Sequence, residues 1–185
     1  MPPAEDLVAF RYSSYDVPFW VRPNTRPGRW HVVGDPPTQY WSLTPEAAWA
    51  EHIRFEELRS EAELDEVRMP IWVCRLSSMN LLDLFDPAVR DHYGLTVADL
   101  TSDDWSACQQ AGAVMRSEGA RGVLGPCAAL GNGMNVTLFG PRRAIDFDRR
   151  PALASVSPAA LVAIGRPPRD LLHRVIPRGN TPTLF

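Results

Sequence analysis

The sequence predicts an α+β fold: one compact unit over residues 1–185, with mixed or antiparallel sheets and flanking helices. Three observations lead there. The apolar pattern alternates between strand and helix periods in the order strand, helix, strand, helix, three strands, helix. A length of 185 residues fits one ordinary domain with a sizeable core. A hydrophobic share of 45% against 22% charged residues is globular rather than disordered.

Each element has a local reason. Residues 7–12 read as a short strand, and 17–37 as a Pro-, Gly- and Arg-rich loop long enough to be functional. Residues 38–41 read as a second strand. Thr44 and Pro45 open a helix, with a hydroxyl cap followed by proline at the first helical position, and this helix runs to about residue 59. Residues 70–76 are apolar and β-rich, a buried strand, and 80–84 follow as another. Residues 87–93 form a short helix that Gly94 ends. The run Thr101-Ser102-Asp103-Asp104 opens a long helix, with caps and acidic residues at the positive end of its dipole. Gly119 stops that helix. Residues 122–127, 135–139 and 144–147 read as strands, and 158–164 and 169–175 as two short helices.

Composition excludes several functions. With 19 Lys+Arg against 22 Asp+Glu the net charge is −3, which argues against direct nucleic-acid binding, since that needs a basic excess. Cys74, Cys108 and Cys127 are an odd set without CxxC spacing, so neither a disulfide framework nor a zinc site is expected. His31, His52, His92 and His173 lack metal-ligand spacing, and no metal site is expected. The N-terminus lacks a signal-peptide pattern, and no apolar run reaches the ~18 residues of a membrane span. A cytoplasmic location is the expectation. GxSxG, GxxxxGK[ST], GxGxxG and HExxH are all missing.

Four places stand out. Glu51 shares a helical face with Ala47, Ala48, Phe55 and Leu58, where a carboxylate is costly without a partner. Two readings stay open: a structural ion pair with a nearby arginine, or an active-site carboxylate awaiting a cationic transition state. Gly28-Arg29-Trp30 follows Arg22 and Arg26. These are either solvated arginines or a phosphate clamp, because a guanidinium fork matches phosphate oxygens. Arg11 and Tyr12 alternate at the end of the first strand, one toward a cleft and the other toward the core. Ser106 lies off the buried stripe Trp105, Cys108, Gly112, Met115. It is either a solvated helix serine or a substrate contact near a helix N-terminus.

Five short strings occur in order: Phe10-Arg11-Tyr12, Gly28-Arg29-Trp30, Gln39-Tyr40-Trp41, Ala48-Trp49-Ala50-Glu51 and Asp103-Asp104-Trp105-Ser106-Ala107-Cys108-Gln109. Together with Gly122-Val123-Leu124 they resemble the RES-domain toxins of bacterial toxin–antitoxin pairs, over residues of about 7–139. The resemblance implies a fold like that of ADP-ribosyltransferases. It implies cleavage of NAD, as substrate and not as cofactor, by phosphorolysis or hydrolysis. The alternatives are transfer of ADP-ribose to a protein, or a catalytically silent binding module. By the resemblance, Arg29, Glu51 and Ser106 match the residues that name the family, and Arg11, Tyr12 and Tyr40 match its pocket. It also implies an Xre-type antitoxin as partner, with phosphate as a candidate acceptor and oligomeric state left open. His31 departs from the asparagine common after Gly-Arg-Trp, and residues from about 149 onward carry no motif.

Overall fold

The computed structural model describes residues 6–12, 24–77, 80–140 and 161–180. Strands β1 (Asp6–Tyr12) and β2 (Thr38–Ser42) precede helix α1 (Pro45–Phe55). Helix α2 (Glu61–Glu66), strands β3 (Met69–Ser77) and β4 (Leu81–Asp83), and helices α3 (Pro87–His92), α4 (Val97–Thr101) and α5 (Ser106–Ser117) follow. Strands β5 (Gly122–Pro126), β6 (Met134–Phe139) and β7 (Leu161–Gly165) and a 3₁₀ helix (Arg169–Arg174) complete the described elements. These strands form one sheet in the order β4-β5-β6-β2-β1-β3-β7. Neighbours pair antiparallel except β4 and β5, which run parallel. The mixed α/β class agrees with the sequence expectation.

Helix α1 begins as its sequence dictates: the Thr44 hydroxyl accepts from the Ala47 N–H at 3.1 Å, and Pro45 needs no partner. It ends at Phe55, short of the expected residue 59. Glu57 takes the left-handed region (φ 56°), the Leu58 N–H returns to the Ile53 carbonyl, and the Glu57 N–H reaches the Arg54 carbonyl. That is a Schellman end with glutamate where glycine is usual. Helix α5 ends in the same way on Gly119, as expected, with Ala120 N–H on the Met115 carbonyl.

Three expectations need correction. The run from Thr101 does not open the long helix: Thr101 ends α4, and α5 starts at Ser106 after Trp105, which makes no side-chain cap. Residues 161–165 are a strand paired with β3, not part of a helix. A five-residue apolar stretch does not separate the two by period. Residues 169–174 coil as a 3₁₀ helix. The expected strand at 144–147 lies outside the described residues.

Two apolar clusters flank the site. In one, α1 packs Ala47, Ala50 and Ile53 with Leu64, Ile71, Leu130 and Leu171. In the other, α5 packs Cys108, Ala111 and Met115 with Trp30, Leu100, Val123 and Phe139. Gly112 lets α5 approach the loop before β2, since a Cβ there would lie 2.7 Å from the Trp30 carbonyl oxygen. No helix among the described residues is long and apolar enough to cross a membrane.

Candidate active site

A cavity of about 370 Å³ opens between these clusters, within the ~300–1,000 Å³ usual for small-molecule sites. Its walls come from the end of β1, the loop at residues 26–31, β2, α1, the α4–α5 connection and β5–β6.

Glu51 lines it from α1 and is half-buried. Its Oε1 accepts two hydrogen bonds, from Asn135 Nδ2 at 2.7 Å and from Cys127 Sγ at 3.2 Å. Both donors are neutral. Burial first, then the adjacent Glu51 charge, push the Cys127 thiol well above its usual range, so it stays protonated and donates. The arginine on the same helix is committed elsewhere: Arg54, buried, donates from Nη1 to the carbonyls of Ala128 (2.6 Å) and Ile176 (2.8 Å), and from Nη2 to Asp103 (2.9 Å). Among the described residues Glu51 thus has amide and thiol partners rather than the arginine of the structural reading.

Arg29 lines the cavity from the loop at residues 26–31. Its Nη1 donates to the carbonyls of Asp99 (3.2 Å) and Ser102 (2.7 Å), the open C-terminal end of α4. The guanidinium holds that helix end while lining the cavity. Beside it, the Tyr40 oxygen accepts from the Trp30 N–H (3.1 Å) and lies 2.9 Å from His31 Nδ1. His31 Nε2 lies 3.1 Å from the Arg26 carbonyl, which only accepts, so Nε2 carries the proton and Tyr40 donates to Nδ1. Burial lowers the pKa of His31 and keeps it neutral, and burial raises that of the Tyr40 hydroxyl. Tyr40 as a whole is nevertheless 37% exposed and lines the cavity, while its hydroxyl is enclosed. Gly28 is required here: a Cβ would sit 2.5 Å from His31 Cε1 and 2.7 Å from the Tyr40 oxygen. The loop is tied to α5, with Gln109 donating to the Gly28 carbonyl and Arg116 donating to the Trp30 carbonyl and bridging to Asp35.

Arg11 and Tyr12 both line the cavity, a correction to the expectation that alternation would separate them. Arg11 stacks over Trp41 at 5.8 Å and Tyr12 packs on His52 at 4.8 Å, because the cavity wraps around the end of β1. Burial, then the Glu51 and Glu56 charges, raise the Tyr12 hydroxyl pKa.

The structure thus gathers Arg11, Tyr12, Arg29, Tyr40 and Glu51 at one cavity. It leaves out Ser106, which is exposed at the first position of α5 with its N–H on Asp104 Oδ1. Ser106 lies off the buried face of α5 formed by Cys108, Gly112 and Met115, as a solvated helix serine would, and Asp103 and Trp105 line the cavity instead. Residues that sequence reading missed are Asn135, Cys127, Arg54 and Arg178. Asn135 had shown only as a polar residue in an apolar strand. The lining carries arginines 11, 26, 29, 54 and 178 against two carboxylates, Glu51 and Asp103. This local basic excess in a chain of net charge −3 suits an anionic ligand.

Residues 7–158 match the RES domain family. A probable NAD(+) phosphorylase of Mycobacterium tuberculosis is 34% identical over 117 residues, 63% of this chain and 55% of that protein. The NAD(+) phosphorylase MbcT of Mycobacterium bovis is 30% identical over 117 residues, 62% of each chain. The match therefore spans less than two thirds of the curated relatives. A chain in the crystal structure of the M. tuberculosis MbcT–MbcA toxin–antitoxin complex shares the fold, with a TM-score of 0.64 at 19% identity over 92% of this chain and 88% of that one. Motif order, cavity and a match over most of its length agree: the chain belongs to the RES domain family.

Proposed function

We propose that this chain cleaves NAD at the bond between nicotinamide and ribose, with phosphate or water accepting the ADP-ribose, and that it acts as the toxin of a toxin–antitoxin pair. The observation that carries this reading is Glu51, a carboxylate held by neutral donors at the wall of an arginine-rich cavity. As the C–N bond breaks, its electron pair leaves with nicotinamide and positive charge grows on the ribose. A carboxylate already in place stabilises that charge more than it stabilises the ground state. Arg11 and Arg29, which line the same cavity, would offset the charge of the pyrophosphate. The ring of Tyr40 offers a stacking surface for nicotinamide. Phosphate or water then forms the new bond to the ribose carbon.

The named activities of the relatives, NAD(+) phosphorylases, support phosphate as the acceptor. The toxin–antitoxin title of the structural neighbour supports a protein antitoxin, for which the RES resemblance suggests the Xre type. An ADP-ribosyltransferase-like ancestry and action in the cytoplasm belong to the same reading.

The test is NAD consumption by the purified chain with and without phosphate, with mass spectrometry of the products. Nicotinamide plus phosphorylated ADP-ribose is the expected outcome. Label transferred from NAD to protein would instead indicate protein modification, and no loss of NAD by folded protein would sink the reading. Glu51→Gln is expected to slow NAD loss by roughly 100-fold or more without unfolding the chain.

A further inference from the structure

We infer that Ser42 and Asn135 form a positioning relay that aims Glu51 into the cavity, an inference that rests on the proposed NAD cleavage for its catalytic meaning. Ser42 and Asn135 are directly opposite each other on the paired strands β2 and β6. Ser42 Oγ, on a buried residue, donates to Asn135 Oδ1 at 2.8 Å. Asn135 Nδ2 donates to Glu51 Oε1 at 2.7 Å.

The chain of donors has one consistent direction. An asparagine amide has an accepting end and a donating end of nearly equal size. The carboxylate, which only accepts, fixes the donating end toward Glu51, and the serine hydroxyl anchors the accepting end on β2. Were the amide reversed, its oxygen would face Glu51 Oε1, lone pair against lone pair. Cys127, protonated, supplies a second donor to the same oxygen. One carboxylate oxygen is thus pinned by two groups, and no hydrogen bond to the other occurs among the described residues. Two adjacent strands, in the middle of the sheet, set the place of a side chain that α1 alone would leave free to turn.

A charge-stabilising group acts only when held close to the geometry of the transition state, and a displacement near 1 Å can cost about 100-fold in rate. Ser42 and Asn135 therefore act through Glu51 and are positioning residues.

The test is a mutant series on the whole chain. Asn135→Leu keeps the volume and removes the donor. We expect kcat for NAD loss to fall about 10–100-fold with KM within about 2-fold, because the arginine wall is untouched. Ser42→Ala should cost less, since the amide keeps its donor and loses only the anchor on its oxygen, and Ser42→Thr should keep wild-type activity. In a Glu51→Gln background, Asn135→Leu should add almost nothing to the loss. A loss confined to KM, or one that multiplies fully with Glu51→Gln, would overturn the relay. Thermal melting of wild type, Asn135→Leu, Glu51→Gln and their double variant supplies a readout that needs no activity: the shifts from Asn135→Leu and Glu51→Gln should be less than additive. If the wild-type chain leaves NAD intact, the function fails, and the melting cycle alone decides the relay, with additive shifts overturning it.

Discussion

Glu51 and Arg29 line one cavity from different elements, α1 and the loop at residues 26–31, and they are held in opposite ways. Glu51 is pinned by side chains, an amide from β6 and a thiol from the turn after β5, 84 and 76 residues away. Arg29 is pinned by backbone, the two carbonyls at the end of α4. The contrast teaches how to separate a residue shaped for chemistry from one that also builds its own wall. Removing the charge of Glu51 leaves neutral donors that water can satisfy. Removing Arg29 leaves helix carbonyls open and loosens the α4–α5 connection.

Glu51→Gln offers the largest expected effect and the cleanest break: rate lost, stability kept, measured by NAD turnover and melting on one sample. Arg54→Ala, one turn further along α1, should behave in the reverse way. It removes a buried guanidinium from Ala128, Ile176 and Asp103, and with it the link between α1, the turn after β5 and residues 176–179. Denaturant unfolding should show a loss of about 3 kcal/mol. A loss below about 1 kcal/mol would mean that the C-terminal residues are held by other contacts. Arg29→Lys should lie between the two. It keeps the charge but not the planar fork, so about 1–2 kcal/mol of stability should go, together with a weaker affinity for NAD in binding titrations. Full stability with Arg29→Lys would show that α4 does not depend on the guanidinium, and the contrast with Glu51 would collapse.

The legible parts of the molecule are those that one residue type governs locally. Pro45 after Thr44, and Gly94 and Gly119 at left-handed positions, placed helix ends because few residues substitute there. The end of α1 was hidden because Glu57 takes the left-handed position, paid for by the Leu58 and Ile53 contact that no window reveals. Helices α2 and α4 were overlooked although Ser60 with Glu63 and Thr96 with Asp99 form capping boxes. Five of the six expected site residues meet at the cavity because their strings lie on rigid strands, on α1 or on the loop that α5 ties down. Ser106 does not, since it lies off the buried stripe of α5 and faces solvent. Asn135 and Cys127 could not be assigned to Glu51 from sequence: only the pairing of β6 with β2 and with β5 brings them there.

The smallest expected effect concerns the histidine beside Tyr40. Burial lowers the pKa of His31 below its ordinary 6.5, and does the same to His52. The folded state therefore binds fewer protons than the unfolded one, so stability is complete above about 6.5 and is lost as pH falls through that value toward the lowered folded ones. Between about 5 and 6.5 the carboxylates stay largely ionised, so a decline in that window reports on the histidines. The charges facing His31 are Asp35, which favours protonation, and Arg116, which opposes it, and these two are paired to each other. Melting temperature should fall by about 3 °C from pH 7 to pH 5, and His31→Gln, which cannot be protonated, should remove part of that slope. Protonation would also place a hydrogen on Nδ1, where the Tyr40 hydroxyl now donates, and force that hydroxyl to turn. Equal slopes for His31→Gln and wild type would assign the whole decline to His52 and leave Tyr40 in place at low pH.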